Sequence, residues 1–223
     1  MPIDPGPTHW QLPVPGPRAG DLIAIGGDLA PSTVLAAYRG GLFPMPVEAG
    51  SEIGWWSPEW RGVLPLDGLV VSRSLRKSRK KYTVTSNQAF ADVLAGCADP
   101  GRDGVWIDEQ ITAAYLQLHA MGWAHSVETW LDGELVGGLY GLAINGLFAG
   151  ESMFSRATDA SKVALVHLVE LLTDEHAGVR VLDTQWQTDH LATLGVEEIP
   201  RAEYFERLNS ALALPLPAAF RTP

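Results

Sequence analysis

The chain has 223 residues, 46% of them hydrophobic and 19% charged, with a formal net charge of −10. That balance belongs to a folded globule and excludes disorder or a continuous coiled coil as an overall description. No apolar run reaches the roughly 18 residues that span a bilayer, and a single cysteine, Cys97, excludes internal disulfides and cysteine-based zinc sites.

The opening MPIDPGPTH has no basic n-region and no apolar h-region, so no secretory signal is expected and a cytoplasmic protein is the default. Six prolines in the first 17 residues predict an extended lead segment. A helix follows: Pro31 suits its first turn, Val34 to Tyr38 continue it and Gly40-Gly41 end it. The stretch GWWSPEWRGVLP gathers Trp55, Trp56 and Trp60 around a Ser-Pro turn, and a domain boundary is placed here, between a small N-terminal domain (1–60) and a larger one (61–223).

Charge is polarised along the chain. Six of the 16 basic residues (Arg73, Arg76, Lys77, Arg79, Lys80 and Lys81) fall within nine positions, with no acid between Asp67 and Asp92. The segment reads either as a solvated face or as a phosphate-binding patch on an acidic body that resists indiscriminate nucleic-acid binding.

Three-to-four spacing of apolar residues predicts helices over Asn87 to Ala98, Asp108 to Met121 and Ala160 to about His176, with Ser86, Asp108 and Asp159 as caps. Between the last two lies a predicted β-meander: Ser126 to Trp130, Glu134 to Ala143 and Leu147 to Ser152, joined by turns at Asp132-Gly133 and Asn145-Gly146. VRVLDTQ then reads as a strand with Val179, Val181, Asp183 and Gln185 on one face. A final helix is expected from about Ala202 to Leu212.

Familiar catalytic signatures fail. GESMF resembles a nucleophile elbow but ends in Phe154, so Ser152 is a weak nucleophile candidate. There is no Walker loop, dinucleotide fingerprint or HExxH spacing, and Cys97 reads as an inert core thiol. What remains are polar groups at strand ends: Glu151 after Leu147-Phe148-Ala149-Gly150, and Asp183 and Gln185 two apart in a strand. Carboxylates there can bind a cation or act as bases. The bland alternative pairs Glu151 with Arg156 and makes Asp183 a turn cap. The order meander, helix, strand resembles the acetyltransferase (GNAT-like) fold, an α/β architecture with a mixed β-sheet flanked by helices. The loop before the long helix, SRATDASK, lacks that superfamily's pyrophosphate-binding glycines, which disfavours coenzyme A.

Taken together, GGDLAPSTVLAAYRGGLFP, WWSPEWRGVL, SRSLRK, AYLQLHAMGWAHSVETW, ELVGGLYG, GESMFSRATDASKVAL and the DTQ…DHLATLG stretch resemble the leucyl/phenylalanyl-tRNA–protein transferase family from about Leu22 to Arg201. The resemblance implies a small N-terminal domain, a GNAT-like C-terminal domain and no metal or dissociable cofactor. It also implies transfer of Leu, Phe or Met from aminoacyl-tRNA to proteins with N-terminal Lys or Arg, marking them for N-degron degradation. Glu151, Asp183 and Gln185 would form the reaction centre, the carboxylates receiving the acceptor's cationic side chain and α-amine, and Gln185 with Asp183 orienting or polarising the amine. Leu139, Phe148, Met153 and Leu168 would line the aminoacyl pocket. Trp106 would pack on the terminal adenosine, as would Met45, which stands where the family commonly has Trp. The basic cluster would track acceptor-stem phosphates. Two other classes stay open: an N-acyltransferase with a different acyl carrier, and a non-catalytic module that binds aminoacyl-tRNA or N-degrons.

Overall fold

The computed structural model describes residues 1–16, 19–48, 51–102 and 106–221. The described part of the proline-rich lead forms no helix or strand. Arg201 ties it down, its guanidinium donating to the carbonyls of Gly16, Ala19, Gly20, Ser57 and Pro58.

Strand β1 (Leu22–Ile25) leads into α1 (Pro31–Arg39), which has proline in its first turn and Gly40 at its C-terminal cap. Strands β2 (Phe43–Pro46) and β3 (Ile53–Trp56) complete a three-stranded antiparallel sheet ordered β1-β3-β2. Pro44 and Pro46 are tolerated because β2 is an edge strand. Strand β4 (Trp60–Val63) already belongs to a second, larger sheet.

The basic cluster forms α2 (Arg73–Ser78) and a 3-10 turn over Arg79–Lys81. Ser72 caps α2 by accepting the Leu75 N–H, and Leu75 is the one buried side chain of this helix. Next come β5 (Thr83–Ser86), α3 (Phe90–Cys97) and α4 (Glu109–Ala120), whose cap Asp108 accepts the Ile111 N–H. The expected meander is present as β6 (Ala124–Leu131), β7 (Glu134–Ile144) and β8 (Leu147–Ser155). Its turns carry Asp132, Gly133 and Asn145 at positive φ. Helix α5 (Ala160–Leu172), β9 (Val181–Gln185), α6 (Asp189–Ala192), β10 (Glu197–Pro200) and α7 (Arg201–Leu212) follow, then a 3-10 turn over Ala218–Phe220.

The large sheet is ordered β10-β4-β9-β8-β7-β6-β5 and is antiparallel except where β8 pairs with β9. Helices α1, α3, α4 and α7 bury one face, with Tyr38, Leu94, Ile111, Tyr115 and Leu208 in a core that also reaches the three-stranded sheet. Helix α5 and Phe220 cover the opposite face through Leu165, Leu168 and Leu172. The mixed sheet flanked by helices agrees with the α/β expectation. Among the described residues no helix is long and apolar enough to cross a membrane.

Three local expectations are corrected. Helix α3 starts at Phe90 because Ser86 ends β5, paired with Val127. Asn87 then turns to φ 58° and spends its side-chain oxygen on the Ser126 N–H. Helix α5 stops at Leu172: Thr173 leaves the helical conformation and its hydroxyl donates to the Val169 carbonyl, while Asp159 sits left-handed and makes no side-chain cap. Val179 lies outside β9 in an exposed turn, so it shares no face with Asp183.

Candidate active site where two parallel strands part

Strands β8 and β9 pair only over Leu147–Ala149 and Val181–Asp183. Beyond Ala149, β8 stays with β7 while β9 closes on β4, and the sheet opens between them. A cavity of about 110 Å³ occupies the opening. Its apolar wall is Leu139, Met153, Leu165, Leu168, Leu182 and Leu191; its polar lining comprises Tyr140, Glu151, Ser152, Thr184 and Gln185.

Glu151 reaches the cavity through a bulge. Tyr140 pairs with Ser152 and Gly141 with Gly150, leaving Glu151 as the extra residue, and bulges re-aim side chains in this way. Its Oε1 accepts the Tyr38 hydroxyl at 2.6 Å and its Oε2 accepts the Tyr115 hydroxyl at 2.9 Å. The two hydroxyls are themselves 2.8 Å apart. Burial pushes the Glu151 carboxyl up to about 7, against the pull of both tyrosine hydrogen bonds and with a smaller push from the Asp183 charge. Arg156 is not its partner; that guanidinium lies 5.2 Å over the Phe154 ring.

Asp183 is wholly buried on the other bank. Arg61 grips it with two nitrogens, Nε to Oδ1 at 2.8 Å and Nη2 to Oδ2 at 2.6 Å. The Tyr204 hydroxyl donates to Oδ2 at 2.9 Å and the Gln185 backbone N–H to Oδ1 at 2.9 Å. Asp183 does cap a turn, then, and is also half of a buried ion pair. Gln185 follows at φ 60°, a left-handed value. The departure from strand geometry lets consecutive residues Thr184 and Gln185 both line the cavity. Strand β4 passes close to this turn only because residue 62 is glycine: a Cβ there would lie 2.7 Å from the Trp186 carbonyl carbon.

Three polar atoms of side chains that line the cavity are buried with no hydrogen-bond partner among the described residues: Tyr140 Oη, Thr184 Oγ1 and Gln185 Nε2. Buried polar atoms ordinarily find partners, so their concentration at one small opening marks a place for polar groups of a ligand. The nearby Cys97 thiol is buried, and burial raises it to about 11.

Of the residues singled out from sequence, Glu151, Gln185, Leu139, Met153 and Leu168 meet at the cavity. Asp183 lies behind Gln185. Phe148 does not line the cavity; it is buried 5.5 Å from the Phe220 ring. Trp106 and Met45 are half-buried and outside the lining. Met45 offers its carbonyl to Trp56 Nε1, beside an edge-on group of Phe43, Trp56 and Trp186. Arg73, Arg76, Lys77, Lys80 and Lys81 are exposed, whereas Arg79 pairs with Glu170 at 2.6 Å. Sequence reasoning missed Arg61, Tyr38, Tyr115, Tyr140, Thr184 and Tyr204, since nothing local marks an arginine in a strand or a tyrosine in a helix as a partner for a distant carboxylate.

A family profile described as leucyl/phenylalanyl-tRNA protein transferase matches residues 63–209, and one for that family's N-terminal domain matches residues 27–59. The chain is 52% identical over 198 residues to the leucyl/phenylalanyl-tRNA–protein transferase of Nitrosomonas europaea, covering 87% of this chain and 83% of that one. It is 53% identical to the corresponding Stutzerimonas stutzeri protein over 204 residues, 90% of this chain and 89% of the relative. Among solved structures, a GCN5-related N-acetyltransferase from Kribbella flavida is similar with a TM-score of 0.37 and 17% identity, over 77% of this chain and 61% of that one. On sequence, and along nearly its whole length, the chain belongs to the leucyl/phenylalanyl-tRNA protein transferase family.

Proposed function

We propose that this chain transfers Leu, Phe or Met from aminoacyl-tRNA to the α-amine of proteins beginning with Lys or Arg, marking them for N-degron degradation in the cytoplasm. One observation supports this above all: a small leucine-lined cavity, ending in unpartnered polar atoms, opens where β8 and β9 part. An apolar side chain fits the leucine and methionine wall, and its ester lies against the polar end.

In the reaction, the acceptor's amine nitrogen attacks the ester carbonyl carbon. A C–N bond forms, the C–O bond to the terminal ribose breaks, and the proton lost by the amine ends on the ribose oxygen. Aminolysis of an ester is downhill, so holding the reactants and stabilising charge suffice. Gln185 Nε2, one of the three unpartnered polar atoms, is the donor for the carbonyl oxygen as negative charge builds on it. Glu151 has used two of its four acceptor sites and keeps the others for the acceptor's cationic groups. Trp106 and Met45 contact the terminal adenosine in this reading, and Arg73, Arg76, Lys77, Lys80 and Lys81 track the acceptor-stem phosphates, with Arg79 contributing once released from Glu170. Residues 1–60 form the small domain and 61–223 the transfer domain.

The test is to incubate the protein with labelled Leu-tRNA and a peptide starting with Arg. Label on the peptide is expected. Binding of both without transfer points to a non-catalytic module, and acetylation from acetyl coenzyme A to a different acyltransferase.

A further inference from the structure

Asp183 lies next to the proposed reaction centre, yet its carboxylate has no vacant acceptor site. Oδ1 accepts from Arg61 Nε and from the Gln185 N–H; Oδ2 accepts from Arg61 Nη2 and the Tyr204 hydroxyl. A carboxylate offers about four such sites, and all are taken. The cation that fills two of them is itself fixed. Arg61 is 1% exposed, its guanidinium is 4.8 Å from the Phe43 ring centroid and 4.4 Å from that of Tyr204, and Nη1 donates to the Gly41 carbonyl at 3.2 Å.

The group this arrangement holds is Gln185. Its left-handed backbone is unfavourable for a side chain other than glycine and persists only when its surroundings enforce it. The bond from its N–H to Asp183 Oδ1 is the enforcing contact, and the left-handed turn is what brings the Gln185 amide to the cavity.

We propose that Arg61 is a positioning residue for aminoacyl transfer: it fills and orients Asp183, and Asp183 fixes the turn that presents Gln185 to the reacting ester. Asp183 then takes no proton and receives no acceptor cation. The assignment rests on the aminoacyl-transfer reading above.

Two double variants separate anchoring from acid–base chemistry, and neither leaves a lone buried charge. Both carry Arg61→Met; one adds Asp183→Asn and the other Asp183→Leu. Asparagine keeps an oxygen for the Gln185 N–H and leucine does not. The Asn variant is expected to transfer Leu to an Arg-initiated peptide within about tenfold of the parent and with the parent's pH profile. The Leu variant is expected to lose about 10²-fold in kcat, the scale of a misplaced reacting group, with KM for aminoacyl-tRNA held. A loss of about 10²–10⁴-fold in the Asn variant, the range for a missing general base, overturns the proposal; equal rates in the two variants do so as well.

Arg61→Lys keeps the charge without the two-pronged grip. It is expected to lower kcat without moving the pH profile, and an unchanged kcat counts against Arg61. Amide hydrogen exchange at Gln185 is independent of turnover. Slow exchange is expected in the parent and the Asn variant, fast exchange in the Leu variant, and equal protection in all three refutes the anchor. A parent that transfers nothing while this exchange pattern holds defeats the aminoacyl-transfer reading and leaves the anchor standing.

Discussion

Two carboxylates flank the opening between β8 and β9, and their surroundings differ in kind. Asp183 is paired with a guanidinium, wholly buried, and its four acceptor sites are occupied. Glu151 makes no ion pair among the described residues; it holds two tyrosine hydroxyls, feels the Arg61 charge only from a distance, and part of its surface opens into the cavity. The Tyr38–Tyr115–Glu151 triangle has three short O···O distances but only two hydroxyl hydrogens. With both hydroxyl hydrogens on the carboxylate, the Tyr38–Tyr115 contact becomes a hydrogen bond only when Glu151 takes up a proton, which its raised value of about 7 makes accessible near neutral pH. In the proposed reading, the difference separates a carboxylate that organises backbone from one that exchanges its proton for a substrate's charge.

The largest effect that tests this contrast is on stability. Asp183→Ala strands the buried Arg61 guanidinium, which typically costs about 3–5 kcal/mol; urea unfolding measures it, and a loss below about 1 kcal/mol would remove the structural role given to Asp183. Glu151→Gln comes next. It should cost about 1.5–3 kcal/mol in kcat/KM for Arg- and Lys-initiated peptides, the value of a charge-assisted hydrogen bond, and leave aminoacyl-tRNA affinity unchanged. Equal loss of tRNA binding would make Glu151 a residue of the fold.

The same variant carries a pH signature. A carboxyl whose folded value, about 7, exceeds its ordinary 4.5 binds its proton more tightly when folded. Stability therefore declines as pH rises from about 4.5 to about 7 and levels off above, while acceptor use rises through about 7 as the carboxylate forms. Both slopes should vanish in Glu151→Gln. Tyr38→Phe is a gentler probe, removing one hydrogen bond worth about 0.5–1.5 kcal/mol. That bond pulls the Glu151 carboxyl down, so its loss should move the rising limb of the activity profile to higher pH. A limb that stays put would detach the tyrosines from the titration.

The smallest effect lies away from both carboxylates. Arg76 and Lys77 are exposed on α2, and replacing both with Ala should leave the pH profile intact. Every cation–phosphate pairing that disappears takes about 0.7–0.9 off the slope of log affinity against log salt. An unaltered slope, measured by titrating tRNA at several salt concentrations, would return the cluster to the status of a solvated face.

Much of the frame was legible in the sequence where local chemistry is decisive. Asp132-Gly133 and Asn145-Gly146 between long apolar runs specify the meander, and Asp108 specifies the start of α4. The four-residue strands β1 to β5 and β10 were not legible, because so few residues give no period and β2 contains two prolines. The site divides in the same way. Glu151 and Gln185 stand out as polar residues after apolar runs, although Glu151 does not end its strand as expected but sits at a mid-strand bulge, β8 continuing to Ser155. Their supports come from afar: Tyr38 lies 113 residues from Glu151, and Arg61 lies 122 from Asp183. Neither the bulge at Glu151 nor the left-handed turn at Gln185 has a sequence mark, since the bulge is imposed by pairing with β7 and the turn by a carboxylate that a distant arginine holds in place.

Because only three residue pairs join β8 to β9, the two sides of the cavity belong to different halves of the sheet. Leu139 and Met153, with Leu165 and Leu168 of the helix packed over them, stand on the β7–β8 side. Thr184 and Gln185 stand on the β9 side. For anyone wishing to evolve the protein toward unnatural passengers, this is a division of labour. Libraries confined to the first group can reshape the compartment for a new side chain while the amide proposed to meet the ester, and the arginine behind it, stay on a separate scaffold.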